Sequence, residues 1–225
     1  MTRPAAVLFD LDGTLTDRRR SMAAFAERFT AHFGEMLRPP VDGLELQRLV
    51  GDVFVAADGW GHTPRREFFK RAAEQLPWTN GTSPETIRAF WARHFAECTQ
   101  PAGDLYDTLR SLRALEIRVG VISNGRGDMQ RRKLDVLGVR DELRCVVISG
   151  ELGIRKPDGR IFRRAMSAMG VAPEACWFVG DHPVDDVAGA QGAGMTAVWV
   201  DHGQPWPVGV APALHRIARL GDLIA

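Results

Sequence analysis

Two acidic side chains follow the first apolar segment of the chain at a spacing that suits catalysis. Residues 6–11 form a short apolar run that contains Asp10 and leads into Asp12 and Gly13. This pattern predicts a buried strand that ends in a tight loop. On an extended segment, side chains two residues apart point the same way. One carboxylate could therefore attack a substrate while the other transfers protons.

Further polar residues come just after other predicted strands. Ser123 and Asp181 hold such positions, and Lys156 lies in the loop after the strand that ends near Ser149. The carboxyl ends of the strands in an open parallel sheet border the crevice where ligands bind. We therefore expect these side chains to lie along one edge of the sheet, together with Asp10 and Asp12.

The types of these residues suit a phosphate group and a divalent cation. Asp181 offers the hard oxygen ligand that Mg²⁺ prefers. Ser123 and the backbone N–H groups near Asn124 and Gly125 could hold phosphoryl oxygens at the start of the next helix. Lys156 adds a compact positive charge to the same edge.

Electrostatics explains why a cation and a lysine would both be needed. A carboxylate that attacks a phosphate ester meets a like charge, and at ~3.3 Å with an effective dielectric of about 20 the repulsion is roughly 5 kcal/mol. That corresponds to about three to four powers of ten in rate. Mg²⁺ and one lysine offset the repulsion. The carboxylate can then form an aspartyl-phosphate that water hydrolyses.

Four segments resemble, in order, the four motifs of the haloacid-dehalogenase-like (HAD) superfamily of hydrolases. They are Phe9-Asp10-Leu11-Asp12-Gly13-Thr14-Leu15, Val121-Ile122-Ser123-Asn124-Gly125, Lys156-Pro157-Asp158-Gly159-Arg160-Ile161-Phe162 and Val179-Gly180-Asp181-His182-Pro183-Val184-Asp185-Asp186. A lone Asp-x-Asp would be a weak signal, but four motifs in family order are specific. The segment between the first two motifs is similar to the helical cap of the subfamily that includes phosphoglycolate phosphatase and β-phosphoglucomutase.

The resemblance implies a Mg²⁺-dependent phosphatase of small phosphorylated metabolites. It makes Asp10 the nucleophile and a metal ligand. It makes Asp12 the acid and base, with its backbone carbonyl on the metal, and Asp181 a further metal ligand.

The resemblance also assigns the phosphate-binding groups. Ser123, Asn124 and Gly125 would contact the phosphate. Lys156 would bind it as well and would neutralise its charge during catalysis.

The fourth motif offers two candidates, Asp185 and Asp186, for the acid that supports the metal site. The spacing of the family motif permits either, and Asp186 is the better match because the apolar Val187 follows it directly. The neighbouring His182 is not a ligand type that Mg²⁺ favours, so we predict a structural role for it.

Three other functions stay open on the same residues. A haloacid dehalogenase would use the same nucleophile without Mg²⁺, but its relatives usually lack an acid at the position of Asp12. A phosphomutase would pass the phosphoryl group to a second hydroxyl. A scaffold protein could keep the fold and lack activity, although the intact set of motifs argues against it.

The surrounding pattern predicts an α/β fold of the Rossmann-like type, in which helices cover both faces of a parallel sheet. After residue 18 come four helix-like stretches, and after Pro101 helices and strands alternate. The predicted strands are 6–11, 119–122, 145–148, 177–179 and 197–200, and the predicted helices of the alternating region include 129–137, 161–169, 184–193 and 214–223.

This order divides the chain into two predicted domains. Residues 1–16 and 100–225 form the α/β catalytic core, and residues 17–99 form an inserted helical cap. We expect the cap to open and close on hinges near residues 14–18 and 98–102. The charge run Arg18–Arg20 and the segment 58–62 could contribute to the choice of substrate.

Composition excludes several classes of partner. The 225-residue chain has a net charge of +1 and is 45% hydrophobic, so no strong field draws it to nucleic acid or membranes. Its apolar runs are too short to span a bilayer. Three cysteines without paired spacing argue against a disulfide scaffold and favour the cytoplasm. The pattern is compatible with a monomer or a homodimer.

Overall fold

The computed structural model describes residues 3–38, 43–61 and 63–224. The chain divides into two compact units. The first comprises Met1–Asp17 and Pro101–Ala225, and the second comprises Arg18–Gln100. We call them the sheet unit and the helical unit.

The sheet unit contains one parallel β-sheet. Its strands, within the described residues, are β1 (Ala6–Phe9), β2 (Arg118–Ser123), β3 (Cys145–Ile148), β4 (Cys176–Gly180), β5 (Thr196–Val200) and β6 (His215–Ile217). Their order across the sheet is β3-β2-β1-β4-β5-β6. β1 is therefore central, and Phe9 is in register with Val121 of β2 and Val179 of β4. This arrangement confirms the predicted α/β class.

Helices occupy both units. They are α1 (Arg18–Phe33), α2 (Gly43–Asp58), α3 (Arg65–Gln75), α4 (Pro84–His94), α5 (Leu105–Ala114), α6 (Gly127–Leu137), α7 (Ser149–Leu152), α8 (Gly159–Met169) and α9 (Gly189–Gly192). None of the helices in the described ranges combines the length and the apolar character needed to cross a bilayer.

The two faces of the sheet carry separate apolar cores. Val7 and Phe9 of β1 pack into a cluster with buried residues of α5 and α6, whereas Ala6 and Leu8 pack into a second cluster with buried residues of α8. Alternate residues of a strand point to opposite faces, so one short strand serves both cores. Burial on both faces fixes β1 firmly and with it the position of Asp10.

An aromatic cluster fills the helical unit. Phe25, Phe29 and Phe33 repeat at four-residue spacing on α1 and are buried, as that spacing predicts. The ring of Phe25 packs edge-on against Phe54 of α2 at 5.1 Å and against Trp91 of α4 at 4.8 Å between centroids. These contacts join three of the four helices.

A buried carboxylate also joins helices of this unit. Asp58 accepts two hydrogen bonds from Arg18, at 2.6 and 2.7 Å, and one from Arg65 at 3.2 Å. The Gly61 N–H donates a further one at 2.8 Å. The side chain of Asp58 is only 3% exposed. Its bonds with Arg18 link the end of α2 to the start of α1.

The arginine run and the segment 58–62 are connected by the ion pair between Arg18 and Asp58, and their part in the choice of substrate stays a prediction. Asp58 ends α2, and Gly59–Gly61 form a 3-10 turn. The side chain of Trp60 and residue His62 lie outside the described part of the chain. Of the three arginines, Arg18 forms an ion pair with Asp58, while Arg19 and Arg20 are exposed.

The helix predicted at residues 214–223 is wrong. The structure has β6 there, followed by a 3-10 turn at Leu220–Leu223. Leu214, which a helical stripe would bury, is 81% exposed, whereas Ile217 is buried. β6 pairs with β5 and so supplies hydrogen-bond partners for the backbone at the edge of the sheet. Apolar residues three positions apart suit a helix, but a three-residue strand is too short to show its own period.

Candidate active site

Acidic side chains from two central strands meet at the carboxyl edge of the sheet. Asp10 follows β1, and its backbone N–H donates to the carbonyl of Val179 in β4 at 2.8 Å. Asp181 follows β4 directly, and Asp186 lies in the turn beyond it. One carboxylate oxygen from each of Asp10, Asp181 and Asp186 lies within 4.8 Å of the other two. The pairing of β1 with β4 thus places three carboxylates around one point.

Lys156 connects two of these acids. Its Nζ donates to Asp10 Oδ1 and to Asp186 Oδ1, each at 2.6 Å, and its side chain is 2% exposed. Asn124, just after β2, holds the lysine backbone: its Oδ1 accepts from the Lys156 N–H at 2.9 Å and its Nδ2 donates to the Lys156 carbonyl at 3.1 Å. Strand β2 therefore positions the lysine that contacts the acids after β1 and β4.

Burial and charge act in opposite directions on this cluster. Burial raises the pKa of Asp10 from 3.8 to about 7, although the ammonium of Lys156 lowers it. Burial disfavours the charged form of Lys156, but Asp10 and Asp186 together outweigh that effect and raise its pKa. The lysine therefore stays protonated at neutral pH. A cation beside Asp10 would lower the pKa of Asp10 and favour its ionised form.

The loop after β1 passes very close to Asp181. Gly13 has a φ of +89°, and a Cβ at this position would overlap the Asp181 carboxylate. His202 Nε2 lies 2.6 Å from the carbonyl oxygen of Gly13. Trp199 Nε1 donates to the Asp181 carbonyl at 2.9 Å. Only glycine fits at position 13. Trp199 of β5 and His202, which follows that strand, each contact a backbone carbonyl of these loops.

Asp12 has partners on helix α6. Lys133 Nζ contacts both of its carboxylate oxygens, at 2.6 and 2.8 Å, and Gln130 Nε2 donates to Oδ2 at 2.8 Å. Gln130 Nε2 also donates to Ser123 Oγ at 2.6 Å. The structure therefore joins Asp12 to Ser123 through one amide. The Asp12 carboxylate is not one of the three clustered above, and its expected metal contact is through the backbone carbonyl.

Two residues expected to bind phosphate have other partners in this structure. The Asn124 side chain holds Lys156 and also donates to Asp185 at 3.1 Å. The Gly125 N–H donates to Ser149 Oγ at 3.0 Å. The binding of phosphate by Asn124 and Gly125 stays a prediction. The structure thus gives the Asn124 side chain a positioning role, because it holds the backbone of Lys156.

The structure separates the two acids of the fourth motif. Asp186 is 1% exposed, and its Oδ2 accepts from the His182 N–H at 2.9 Å. Asp185 lies outside the carboxylate cluster, and its side chain is 21% exposed. Both lie in a π-helical turn, Pro183–Ala188, that precedes α9. The His182 ring accepts backbone N–H groups of this turn through Nδ1, which is a structural role.

Sequence reasoning missed four residues of this site: Gln130, Lys133, Trp199 and His202. A signal existed for the first two, because they lie on the same face of α6 as the buried Leu134. A polar residue on a buried face is costly unless it has a partner. Nothing comparable marks Trp199 or His202, since their contacts are with backbone carbonyls that are distant in sequence.

The fold and the acidic cluster at the carboxyl edge of the sheet together define a class of protein. A central parallel sheet carries a nucleophile candidate after its first strand and a second acidic loop after the neighbouring strand. A family model described as haloacid dehalogenase-like hydrolase matches residues 4–194. The chain belongs to this family.

Individual relatives agree with that assignment. Phosphoserine phosphatase of Thermus thermophilus is 37% identical over 169 residues, which cover 75% of this chain and 66%, just under two thirds, of that protein. Phosphoglycolate phosphatase of Rhodospirillum rubrum is 30% identical over an alignment that covers 97% of this chain and 90% of the relative.

Solved structures share the whole fold. YfnB of Bacillus subtilis, solved with bound magnesium, has a TM-score of 0.75 at 20% identity, covering 99% of this chain and 97% of that one. At this identity the similarity shows the fold alone. Haloacid dehalogenases are also among the solved structures that share it.

Proposed function

We propose that this protein is a Mg²⁺-dependent phosphatase of small phosphorylated metabolites that acts through an aspartyl-phosphate on Asp10. The observation that carries the proposal is the cluster of Asp10, Asp181 and Asp186 with Lys156 bridging two of them. The named activities of the Thermus and Rhodospirillum relatives support the same reaction class.

The donor set suits magnesium. The three carboxylates offer hard oxygen ligands, which Mg²⁺ prefers to nitrogen or sulfur. Three carboxylates and one ammonium carry a formal charge of −2 together, which a divalent cation would balance. Asp10, Asp181 and the backbone carbonyl of Asp12 would hold the ion, and Asp186 would support them. When bound, Mg²⁺ would offset the negative charge of the phosphate and the nucleophile.

In the first step, a carboxylate oxygen of Asp10 attacks phosphorus. The new bond joins that oxygen to phosphorus, and the bond from phosphorus to the ester oxygen breaks. Lys156 neutralises charge on the transferred group, while Ser123 donates to a phosphoryl oxygen. Asp12 supplies a proton to the departing alkoxide when that group is a poor leaving group.

In the second step, water attacks the phosphorus of the aspartyl-phosphate. Asp12 takes a proton from the water as its oxygen bonds to phosphorus. The bond between phosphorus and the Asp10 oxygen breaks, which releases inorganic phosphate and restores the carboxylate. Asp12 thus acts as acid in one step and as base in the next.

The helical unit is the proposed cap, and it would exclude bulk water during the first step. Phosphorylated hydroxy and amino acids are the first substrates to try, because the relatives named above act on phosphoserine and phosphoglycolate. We also place the protein in the cytoplasm, where its three free cysteines would stay reduced.

Dehalogenation is the second candidate, since solved dehalogenases share the fold. That reaction would need no cation and no proton transfer from Asp12. Release of halide from 2-chloropropionate in the presence of EDTA would favour it. A phosphomutase would instead hydrolyse phosphate esters slowly and would transfer the phosphoryl group to a hydroxyl of a sugar phosphate.

The decisive experiment measures p-nitrophenolate release from p-nitrophenyl phosphate. We expect turnover with Mg²⁺, loss of turnover with EDTA and recovery with excess Mg²⁺. Asp10→Asn should remove nearly all activity, because the amide keeps the shape and lacks the nucleophilic charge. Asp107→Asn is the matched control, since Asp107 lies on the exposed side of α5 with its side chain 78% exposed. Equal rates with Mg²⁺ and EDTA, or an active Asp10→Asn variant, would reject the mechanism.

A further inference from the structure

Helix α6 buries two polar side chains that both contact Asp12. Gln130 and Lys133 are three residues apart, so they lie on one face of the helix, and each is 2% exposed. The length of their contacts, 2.6 to 2.8 Å, is that of strong hydrogen bonds. Burial of an ammonium and an amide is costly, and an apolar residue would fill either position more cheaply. Their contacts with Asp12 offset this cost.

The hydrogen bonds fix which way the Gln130 amide points. A carboxylate paired with an ammonium only accepts hydrogen bonds, so the NH₂ group of Gln130 must face Asp12. The second hydrogen of that group then goes to Ser123 Oγ, at 2.6 Å. Because Ser123 accepts this bond, its hydroxyl must donate its own hydrogen elsewhere. The phosphoryl oxygen is the acceptor that the proposed reaction supplies.

Gly125 provides the room for this arrangement. A Cβ at position 125 would lie 3.0 Å from Gln130 Cδ and 3.3 Å from its Nε2. The amide could then no longer reach both Asp12 and Ser123 without a shift of the loop. The glycine of the second motif therefore makes space for a side chain on α6.

We infer that Lys133 and Gln130 are positioning residues, which hold Asp12 as an acceptor for the water that hydrolyses the aspartyl-phosphate, and that Gln130 in addition turns the Ser123 hydroxyl toward the phosphoryl group. This inference rests on the proposed function. The three contacts described above come from N–H donors, which hold the Asp12 carboxylate oxygens as acceptors for a proton of water. Its effect therefore falls on the second step, in which Asp12 takes a proton from water.

The test uses p-nitrophenyl phosphate, because p-nitrophenolate leaves without help from an acid. In Lys133→Met the first step should proceed and the second should be slow. We expect a burst of about one p-nitrophenolate per active site, then a steady rate at least ~10-fold below that of the unaltered protein. The loss should not exceed the roughly 10²- to 10⁴-fold that acid–base removal costs. Acid-quenched protein should carry phosphate.

Four comparisons make the result specific to positioning. Lys133→Arg should restore much of the steady rate, and Arg132→Met on the exposed side of α6 should behave as the unaltered protein. Lys133→Met should add no loss in an Asp12→Asn background, because the two residues act as one unit. Gln130→Met should also show the burst and should weaken inhibition by inorganic phosphate, which Lys133→Met should leave unchanged.

The contrary results are equally distinct. If Lys133→Met slows the first turnover and the steady rate alike, or shows no burst, the residue is only structural and the inference fails. If Lys133→Met does not fold, as thermal unfolding would show, Gln130→Met gives the same test. If the unaltered protein releases no p-nitrophenolate with Mg²⁺, the proposed function itself fails.

Discussion

At the scale of single residues, Lys156 explains how a strongly acidic site is held together. It is buried and contacts Asp10 and Asp186 at 2.6 Å each, while Asn124 fixes its backbone. Without the lysine, two carboxylates that are 9% and 1% exposed would repel each other in a medium of low dielectric. The arrangement therefore also depends on Asp186, the second acid that Lys156 contacts.

That acid gives a clear prediction. Asp186→Asn should lower the stability by about 1–3 kcal/mol, because a charged hydrogen bond to buried Lys156 is weakened. It should also raise the Mg²⁺ concentration needed for half-maximal activity by roughly 10- to 100-fold, the usual effect of losing a residue that supports a metal site. Thermal unfolding and a magnesium titration would measure these changes.

Asp185→Asn is the matched control for this variant. Asp185 is the adjacent residue and lies outside the carboxylate cluster. Its replacement should leave the magnesium requirement close to normal, since an asparagine oxygen can still accept from Asn124. Similar effects of the two variants would contradict the assignment of Asp186.

Residue types at strand ends could be predicted, but their partners could not. The order of strands and motifs was enough to expect Asp10, Lys156 and Asp181 at one edge, where they do lie close together. The contact of Lys133 with Asp12 joins positions 121 residues apart, and no local pattern encodes such a pair.

At the scale of elements, Asp58 ties α1 and α2 together at one end of the helical unit. Its two hydrogen bonds from Arg18 are bidentate, which is the strongest geometry for this pair. Arg65 adds a third, and its guanidinium lies 5.1 Å from the Trp91 ring centroid. The charge network and the aromatic cluster are therefore continuous.

Asp58→Asn should destabilise the helical unit strongly. Removal of one partner of a buried ion pair costs about 3–5 kcal/mol, because the other charge is left without compensation. Glu67→Gln is the control: it breaks an exposed pair with Arg71, in which both side chains are more than 40% exposed, and should cost less than about 1 kcal/mol. Denaturant unfolding followed by tryptophan fluorescence would compare them. Equal decreases in the free energy of unfolding would show that the buried ion pair of Asp58 stabilises the protein no more than an exposed pair does.

Periodic elements were predictable because burial imposes their pattern. The phenylalanine stripe of α1 shows the period of a helix, and β2 to β5 are recognisable as short, continuous apolar runs. The last element was predicted wrongly because β6 has only three residues, and its identity depends on the free edge of β5. A partner distant in sequence decides such a segment.

At the scale of the whole molecule, the two apolar cores of the sheet are made from the sheet unit alone. Its two chain segments also meet at the unit's own boundary, since Thr16 bridges to Pro101 and the Ala102 N–H donates to Leu15 at 2.9 Å. The contacts that close the sheet unit therefore do not require the residues in between.

A deletion variant tests this independence. Replacement of residues 18–100 by a short Gly/Ser linker should give a protein that still unfolds cooperatively, because both cores are retained and closing a short loop costs little entropy. Circular dichroism and calorimetry would detect the transition, and the p-nitrophenyl phosphate assay would show whether the site still assembles. A broad, non-cooperative melt would mean that the sheet unit needs the helical unit to fold.

The central position of β1 has a consequence for how the protein is made. The strand that precedes Asp10 leaves the ribosome before the helical unit, whereas both of its neighbours in the sheet, β2 and β4, are synthesised after that unit. A nascent chain can complete the helical unit early, since domains fold as units during synthesis. It cannot assemble the acidic cluster before residue 186 has emerged. Any chemistry that needs these three carboxylates together therefore waits until translation has passed residue 186.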